Sequence, residues 1–241
     1  MTDPATSFGS AADAYQRSRP EYPIEAVNWL LPDGSKRVAD VGAGTGKLSG
    51  ILQVAGHDVV AVDPDAQMLE ALAAAHRGIP TLVGTAEGIP LPDASVDAVT
   101  FGQAWHWVDP VRASGEAARV LRPGGVLGLF WNIRDDRVDW VRELTEVMHS
   151  SPAETMIAND DVIVTEPFGP LERAEFEWVN PFSIDGLLDL VQSRSYVITA
   201  TPERRAQILD GVRALGERVA DPNGVVSMPY RTEVFRARVA R

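Results

Sequence analysis

The chain has 241 residues, 45% of them apolar and 23% charged, enough for one large α/β domain or two small ones with a real core, which excludes a stapled miniprotein and a disordered chain. Lys and Arg sum to 22 against 34 Asp and Glu, a formal charge of −12 that disfavours non-specific attraction to a polyphosphate backbone, so nucleic acid is an unlikely partner. There is no cysteine, hence no disulfide, thiolate metal site or cysteine nucleophile, which is compatible with a reducing cytoplasm.

The first twenty residues mix Asp3, Asp13, Arg17 and Arg19 with small residues and contain no apolar signal core. No stretch approaches the ~20 apolar residues that span a bilayer, so the expectation is a cytoplasmic, unexported protein without a membrane partner. Four His without HExxH spacing give no reason to expect a metal.

From residue 37 to 131, short β-branched runs alternate with stretches of helical period, the signature of βαβ units. Strands are expected at Arg37–Val41, Asp58–Val62, Thr81–Val83, Val96–Phe101 and Val126–Trp131, all nearly continuous apolar runs, as parallel strands covered on both faces should be. Helices are expected at Gly46–Ala55, Ala66–Ala75 and Pro110–Leu121, the last with Asp109 as N-cap, Pro110 at its first position and Arg122-Pro123-Gly124-Gly125 as its stop. Beyond Trp131 the alternation loosens. Val138–Met148 has helical spacing, a polar stretch runs to about Pro170, Arg173–Val179 reads as a strand, Ile184–Val191 and Pro202–Val219 as helices, and Thr232–Val239 as a final strand. The expected fold is a doubly wound, mostly parallel, Rossmann-like α/β sheet of about seven strands with a helical cap insertion. It would form a single domain over 1–241, with lid helices in 1–34, a ligand-binding core in 35–131, and cap elements and last strands in 132–241.

After the first strand, Gly42, Gly44 and Gly46 stand in a strand-to-helix turn, where glycine allows a tight turn and close backbone approach to a ligand. The third glycine comes one residue too early for the dinucleotide fingerprint GxGxxG, and Lys47 is followed by Leu48, which excludes a GxxxxGK[ST] phosphate loop. The same glycines could merely serve the turn.

With Asp40 two residues before Gly42-Ala43-Gly44-Thr45-Gly46, the chain resembles the class I S-adenosylmethionine-dependent methyltransferases. The second strand ends in Asp63, twenty-one residues after Gly42 and followed by Pro64-Asp65-Ala66-Gln67-Met68, similar to the family's second motif. A carboxylate there can accept two charge-assisted bonds from vicinal ribose hydroxyls, although Asp63 alone would also fit NAD or a helix cap. Gly84-Thr85-Ala86-Glu87 through Val99 is similar to a third family segment, in which Ala86 and Glu87 would contact adenine and Met68 would pack beside it. Outside that core, Phe8–Tyr15 with Arg19-Pro20-Glu21-Tyr22-Pro23, and Met228–Val234, resemble a small-molecule branch that includes trans-aconitate methyltransferase-like proteins.

The resemblance implies S-adenosyl-L-methionine as cofactor, S-adenosyl-L-homocysteine as product, no metal, and a small-molecule acceptor methylated at O, N or a carboxylate by in-line displacement. Tyr15 and Arg19 become candidates for the methionine end of the cofactor. Gln103 and His106 are the candidate catalytic residues, Gln103 also for cofactor contact, because the segment after the fourth strand faces the transferred methyl in this family. Trp107, Trp131, Asn132 and Tyr196 join His106 as candidates to line the acceptor pocket. A hydroxyl or amine acceptor would call for a base such as His106, whereas a carboxylate, ionised at neutral pH, would need none. Two other readings stay open at this point: a nicotinamide-dependent oxidoreductase on the same sheet, and a non-catalytic cofactor-binding regulator. Oligomeric state is not legible.

Overall fold

The structure is a computed structural model that describes residues 20–31, 34, 36–148, 151–192, 195–198 and 200–239. In chain order the elements are α1 (Ile24–Leu30), β1 (Arg37–Val41), α2 (Lys47–Val54), β2 (Asp58–Asp63), α3 (Ala66–Ala75), β3 (Thr81–Val83) and β4 (Val96–Gly102). A 3₁₀ turn (Trp105–Trp107), α4 (Pro110–Val120), β5 (Leu121–Arg134), α5 (Asp139–Met148) and α6 (Pro152–Ala158) follow. The chain then forms β6 (Glu172–Ser183), α7 (Ile184–Gln192), α8 (Ser195–Ile198), α9 (Pro202–Val219) and β7 (Val225–Arg238).

Seven strands form one sheet in the order β3-β2-β1-β4-β5-β7-β6. Strands β1 to β5 are parallel, and β7 enters antiparallel between β5 and β6. This is the expected Rossmann-like α/β sheet. From β1 the chain winds outward to β2 and β3, then returns to β4 on β1's other side. That reversal opens a crevice at the carboxyl ends of β1 and β4, where open α/β sheets hold ligands.

One face of the sheet packs a core of Val41, Val62, Phe101, Leu129, Trp131 and Phe235 with the buried side of α4. The other packs Val38, Ala61, Phe130 and Val234 under α1, α2 and α3. A third cluster gathers Val141, Leu144, Leu187, Val191, Ile208, Val212 and Tyr230, so α5, α7 and α9 cover the ends of β6 and β7 beyond the carboxyl edge.

Most element ends shift by a few residues, and three departures from the sequence expectation have clear physical reasons. Strand β5 begins at Leu121, which pairs with Val96 before the exposed residues Arg122–Gly124 bulge out and pairing resumes at Val126. Strand β7 begins at Val225, because Val225–Pro229 pair with Val179–Ser183 of β6 beyond the tip of β5. Helix α6 lies inside the stretch read as polar. Its Ser151 caps the Glu154 N–H while Glu154 bonds back to the Ser151 N–H, and Ala153 and Ile157 are buried. No helix of the described residues is long and apolar enough to cross a membrane.

Candidate functional site

A cavity of about 370 Å³ lies at the carboxyl ends of β1, β2, β4 and β5. The turn after β1 forms its floor. There the Gly42 and Ala43 N–H groups both donate to the Val62 carbonyl, 2.8 and 3.1 Å away, drawing the loop onto β2. Gly42 has φ +68, and a Cβ on it would lie 2.6 Å from the Ala104 Cβ; Gly44, at φ +54, would meet nothing within 4 Å. The loop therefore presents bare backbone to open space. Beside it the Thr45 hydroxyl is buried, lines the cavity and has no hydrogen-bond partner among the described residues.

Asp63, at the tip of β2, is fixed by two backbone donors: Gly44 N–H to Oδ2 at 2.8 Å and Asp65 N–H to Oδ1 at 2.9 Å. A carboxylate offers about four acceptor positions, so roughly half its capacity faces the cavity unused. Burial pushes its pKa up, against the lowering effect of those two amides. Asp40, wholly buried in β1, accepts from Ser49 Oγ at 2.5 Å and Thr100 Oγ1 at 3.1 Å. Desolvation pushes its carboxyl up to about 7 despite those hydrogen bonds.

On the adenine side expected from the sequence, Pro64, Met68, Ala86 and Glu87 all line the cavity. Glu87 Oε1 accepts from the Asp109 N–H at 3.0 Å, which joins its loop to the start of α4. Asp109 itself caps α4 through the Val111 and Arg112 N–H groups.

The far wall is built from amides and rings. Gln103 holds φ +55, unusual for a non-glycine residue. Its backbone N–H donates to the Phe130 carbonyl and its side-chain Nε2 to the Asn132 carbonyl, both at 2.8 Å. Gln103, Asn132 and Trp107 line the cavity, Trp107 half-exposed at its mouth.

His106 and Trp131 stand apart from that lining. The 3₁₀ turn sends Trp107 to the cavity and His106 the other way, where its Nδ1 accepts from Trp131 Nε1 at 3.3 Å and its ring tilts against Trp107. Trp131 is fully buried, edge-on to Phe235. Gly46 also turns away from the cavity, toward Leu72 and His76. Tyr15 and Arg19 lie outside the described residues, and Tyr196 belongs to α8, its side chain likewise outside them.

Several lining residues were not singled out from the sequence as site residues: Pro20 and Tyr22 from the segment before α1, Lys47, Leu48, Phe101 and Tyr230. The Lys47 side chain is mostly buried, and its Nζ lies 3.7 Å from a Glu21 carboxylate oxygen. Among the described residues no three His, Asp or Glu converge on a possible metal position.

Residues 39–129 match the family model described as a methyltransferase domain. An uncharacterized methyltransferase of Mycobacterium tuberculosis is 52% identical over 241 residues, covering 99% of this chain and 98% of the relative. A methyltransferase-like protein of Schizosaccharomyces pombe, also uncharacterized, is 30% identical over 95% of this chain and 94% of its own. The chain is a member of the S-adenosylmethionine-dependent methyltransferase family. Among solved structures, a putative type II methyltransferase from Anaeromyxobacter dehalogenans superposes with a TM-score of 0.69 at 25% identity, covering 92% of this chain and 98% of that one.

The methyltransferase's own residues fit the family's cofactor. A Thr45 hydroxyl unpartnered among the described residues, and open space over Gly44 among them, are what a ligand-holding turn leaves for its ligand. Asp63 and Glu87 against Lys47 bias the lining toward a ligand carrying positive charge.

Proposed function

We propose that this methyltransferase binds S-adenosyl-L-methionine across the tips of β1, β2 and β4 and passes its methyl to an oxygen, nitrogen or carboxylate of a small molecule. The observation that carries the reading is Asp63, lining the cavity at a strand tip with each oxygen already oriented by one backbone N–H. Its remaining acceptor positions suit the two vicinal hydroxyls of a ribose, a charge-assisted arrangement. The bare backbone at Gly42–Thr45 receives the sugar and the amino acid end, and Met68 with Ala86 packs the base.

Bound, the cofactor supplies a methyl carbon already activated on a sulfonium, displaced in line by the acceptor. The protein's work is then orientation and exclusion of water, where proximity can contribute about 7 to 11 kcal/mol. Gln103, held by its two hydrogen bonds, and Asn132 border the space for the acceptor, and Trp107 flanks its mouth. His106 sits behind this wall, where its Nδ1 holds the Trp131 indole and its ring packs against Trp107, so it supports the wall and is not placed to take a proton from the acceptor.

The finer assignment rests on sequence: the segments Phe8–Tyr15, Arg19–Pro23 and Met228–Val234 favour the branch resembling trans-aconitate methyltransferase-like proteins. In that reading residues 1–241 act as one domain, residues 1–34 close over the cofactor with Tyr15 and Arg19 at its methionine end, Tyr196 borders the acceptor, and the enzyme works in the cytoplasm.

The test is to incubate the protein with methyl-labelled S-adenosylmethionine and cell extract separated into low-mass, nucleic-acid and protein fractions. Label transferred to the low-mass fraction is expected. Label confined to nucleic acid or protein would overturn the small-molecule acceptor, and no transfer to any fraction would favour a non-catalytic binder.

A further inference from the structure

Asn132 ties together three parts of the molecule that sequence places far apart. Its Oδ1 accepts from Thr232 Oγ1 at 2.6 Å, its Nδ2 donates to the Glu21 carbonyl at 3.0 Å, and its own carbonyl accepts from Gln103 Nε2 at 2.8 Å. Thr232 is wholly buried in β7, and its hydroxyl oxygen accepts from Trp178 Nε1 of β6 at 2.9 Å.

The direction of this chain is forced. The Glu21 carbonyl can only accept, so Asn132 must turn its NH2 toward Glu21 and its oxygen toward Thr232. The Thr232 proton therefore goes to the Asn132 oxygen, and the Thr232 oxygen accepts from the Trp178 indole N–H, which can only donate. The Glu21 carbonyl lies between Pro20 and Tyr22, both of which line the cavity. Trp178 also stacks on Tyr230, a further lining residue, with centroids 5.2 Å apart and planes 23° from parallel.

We propose that Trp178 and Thr232 are positioning residues for the methyl-transfer site: the Trp178 N–H anchors the Thr232 hydroxyl, which holds the Asn132 side-chain amide in the pose that clamps the segment before α1 as a wall of the cavity, while the Asn132 backbone carbonyl holds Gln103 on the opposite side. The proposal rests on the cofactor reading above for its effect on ligand binding, and on the hydrogen bonds alone for the clamp. Neither residue reaches the cavity lining, so both act through Asn132 and Tyr230.

The test uses the full chain with Thr232→Val, Thr232→Ser and Trp178→Phe, titrated with S-adenosylhomocysteine by calorimetry and followed by amide hydrogen exchange over residues 21–31. Thr232→Val, which keeps the shape and deletes the relay, should bind about tenfold more weakly, with faster exchange in that segment and unchanged exchange in β1 and β4. Thr232→Ser should restore binding to within about twofold. Trp178→Phe keeps a ring on Tyr230, loses the N–H, and should fall between them; it decides the matter if Thr232→Val does not fold. Parent-like binding and parent-like exchange in Thr232→Val and Trp178→Phe, even with a lower melting temperature, would overturn the relay. If the parent itself fails to bind S-adenosylhomocysteine, the cofactor reading fails, and the exchange alone judges the clamp: faster exchange at 21–31 sustains it and unchanged exchange overturns it.

Discussion

Along β1 the four residues Val38 to Val41 are all buried, whereas along β6 burial alternates residue by residue from Ala174 to Phe182. The parallel half is covered on both faces by helices, so its strands are mostly apolar and their buried polar groups, such as Asp40, Asp63 and Thr100, gather toward the carboxyl tips. The antiparallel edge is wetter and held by charge. Arg173 and Arg231 both pair with the buried Glu233, Arg231 also with Glu175, and Arg236 with Glu172 while lying over the Trp29 ring. The difference separates two tasks. The parallel half supplies loops whose backbone and carboxylates face the cavity, and the antiparallel edge supplies the supports that hold that cavity's walls.

Substitutions can pull the two halves apart. The largest effect is expected at the antiparallel side's junction with β5, where Glu154 pairs bidentately with Arg134, whose side chain is 2% exposed. Glu154→Ala strands a buried guanidinium and should cost about 3 to 5 kcal/mol in urea unfolding. A loss under about 1 kcal/mol would show that the guanidinium reaches water.

In the parallel half, Gly42→Ala combines a left-handed φ with a 2.6 Å approach to the Ala104 Cβ, and should cost about 1 to 3 kcal/mol. Gly44→Ala meets no atom within 4 Å and should cost only the conformational part, about 1 kcal/mol, in the same unfolding assay. Equal losses at the two positions would remove the steric argument for the turn.

The smallest expected effect is on pH dependence. The native chain keeps a proton on Asp40 up to about 7, whereas the unfolded chain releases it near 3.8. The native state therefore binds more protons between those values, and this group lowers stability as pH rises through that window. Asp40→Asn should flatten the corresponding part of a stability profile measured from pH 4 to 7. An unchanged profile would mean that Ser49 and Thr100 keep the carboxylate ionised.

The parallel half was legible because each of its elements follows from local pattern. β1, β3 and α3 begin and end at the residues that periodicity gives, and the Asp40, Gly42, Asp63 and Ala86 positions that line the cavity sit at fixed offsets from those strands. The antiparallel half was read less well because its boundaries depend on partners. Val225–Pro229 form a strand only because β6 lies beside them, and α6 is announced by little more than the Ser151, Pro152, Glu154 spacing. The arginines at 231 and 236 are engaged in ion pairs with partners that only the folded sheet brings beside them. Thr232 and Trp178 gave no sign at all. A threonine in a strand and an aromatic in an alternating run are ordinary, and their bearing on the cavity appears only when residue 132 is brought beside residue 232.

Asp63 and Asp97 offer a direct test, since they stand at opposite edges of the same sheet. Asp63 faces the cavity, whereas Asp97 holds the Arg37 N–H and the Arg122 guanidinium at the amino edge. Calorimetric titration of S-adenosylhomocysteine into the parent, Asp63→Ala and Asp97→Ala should give binding in the parent, a loss of about a hundredfold in Asp63→Ala, and parent-like affinity in Asp97→Ala. No binding in the parent, or equal affinity in the parent and Asp63→Ala, would contradict the assignment of this cavity to the cofactor.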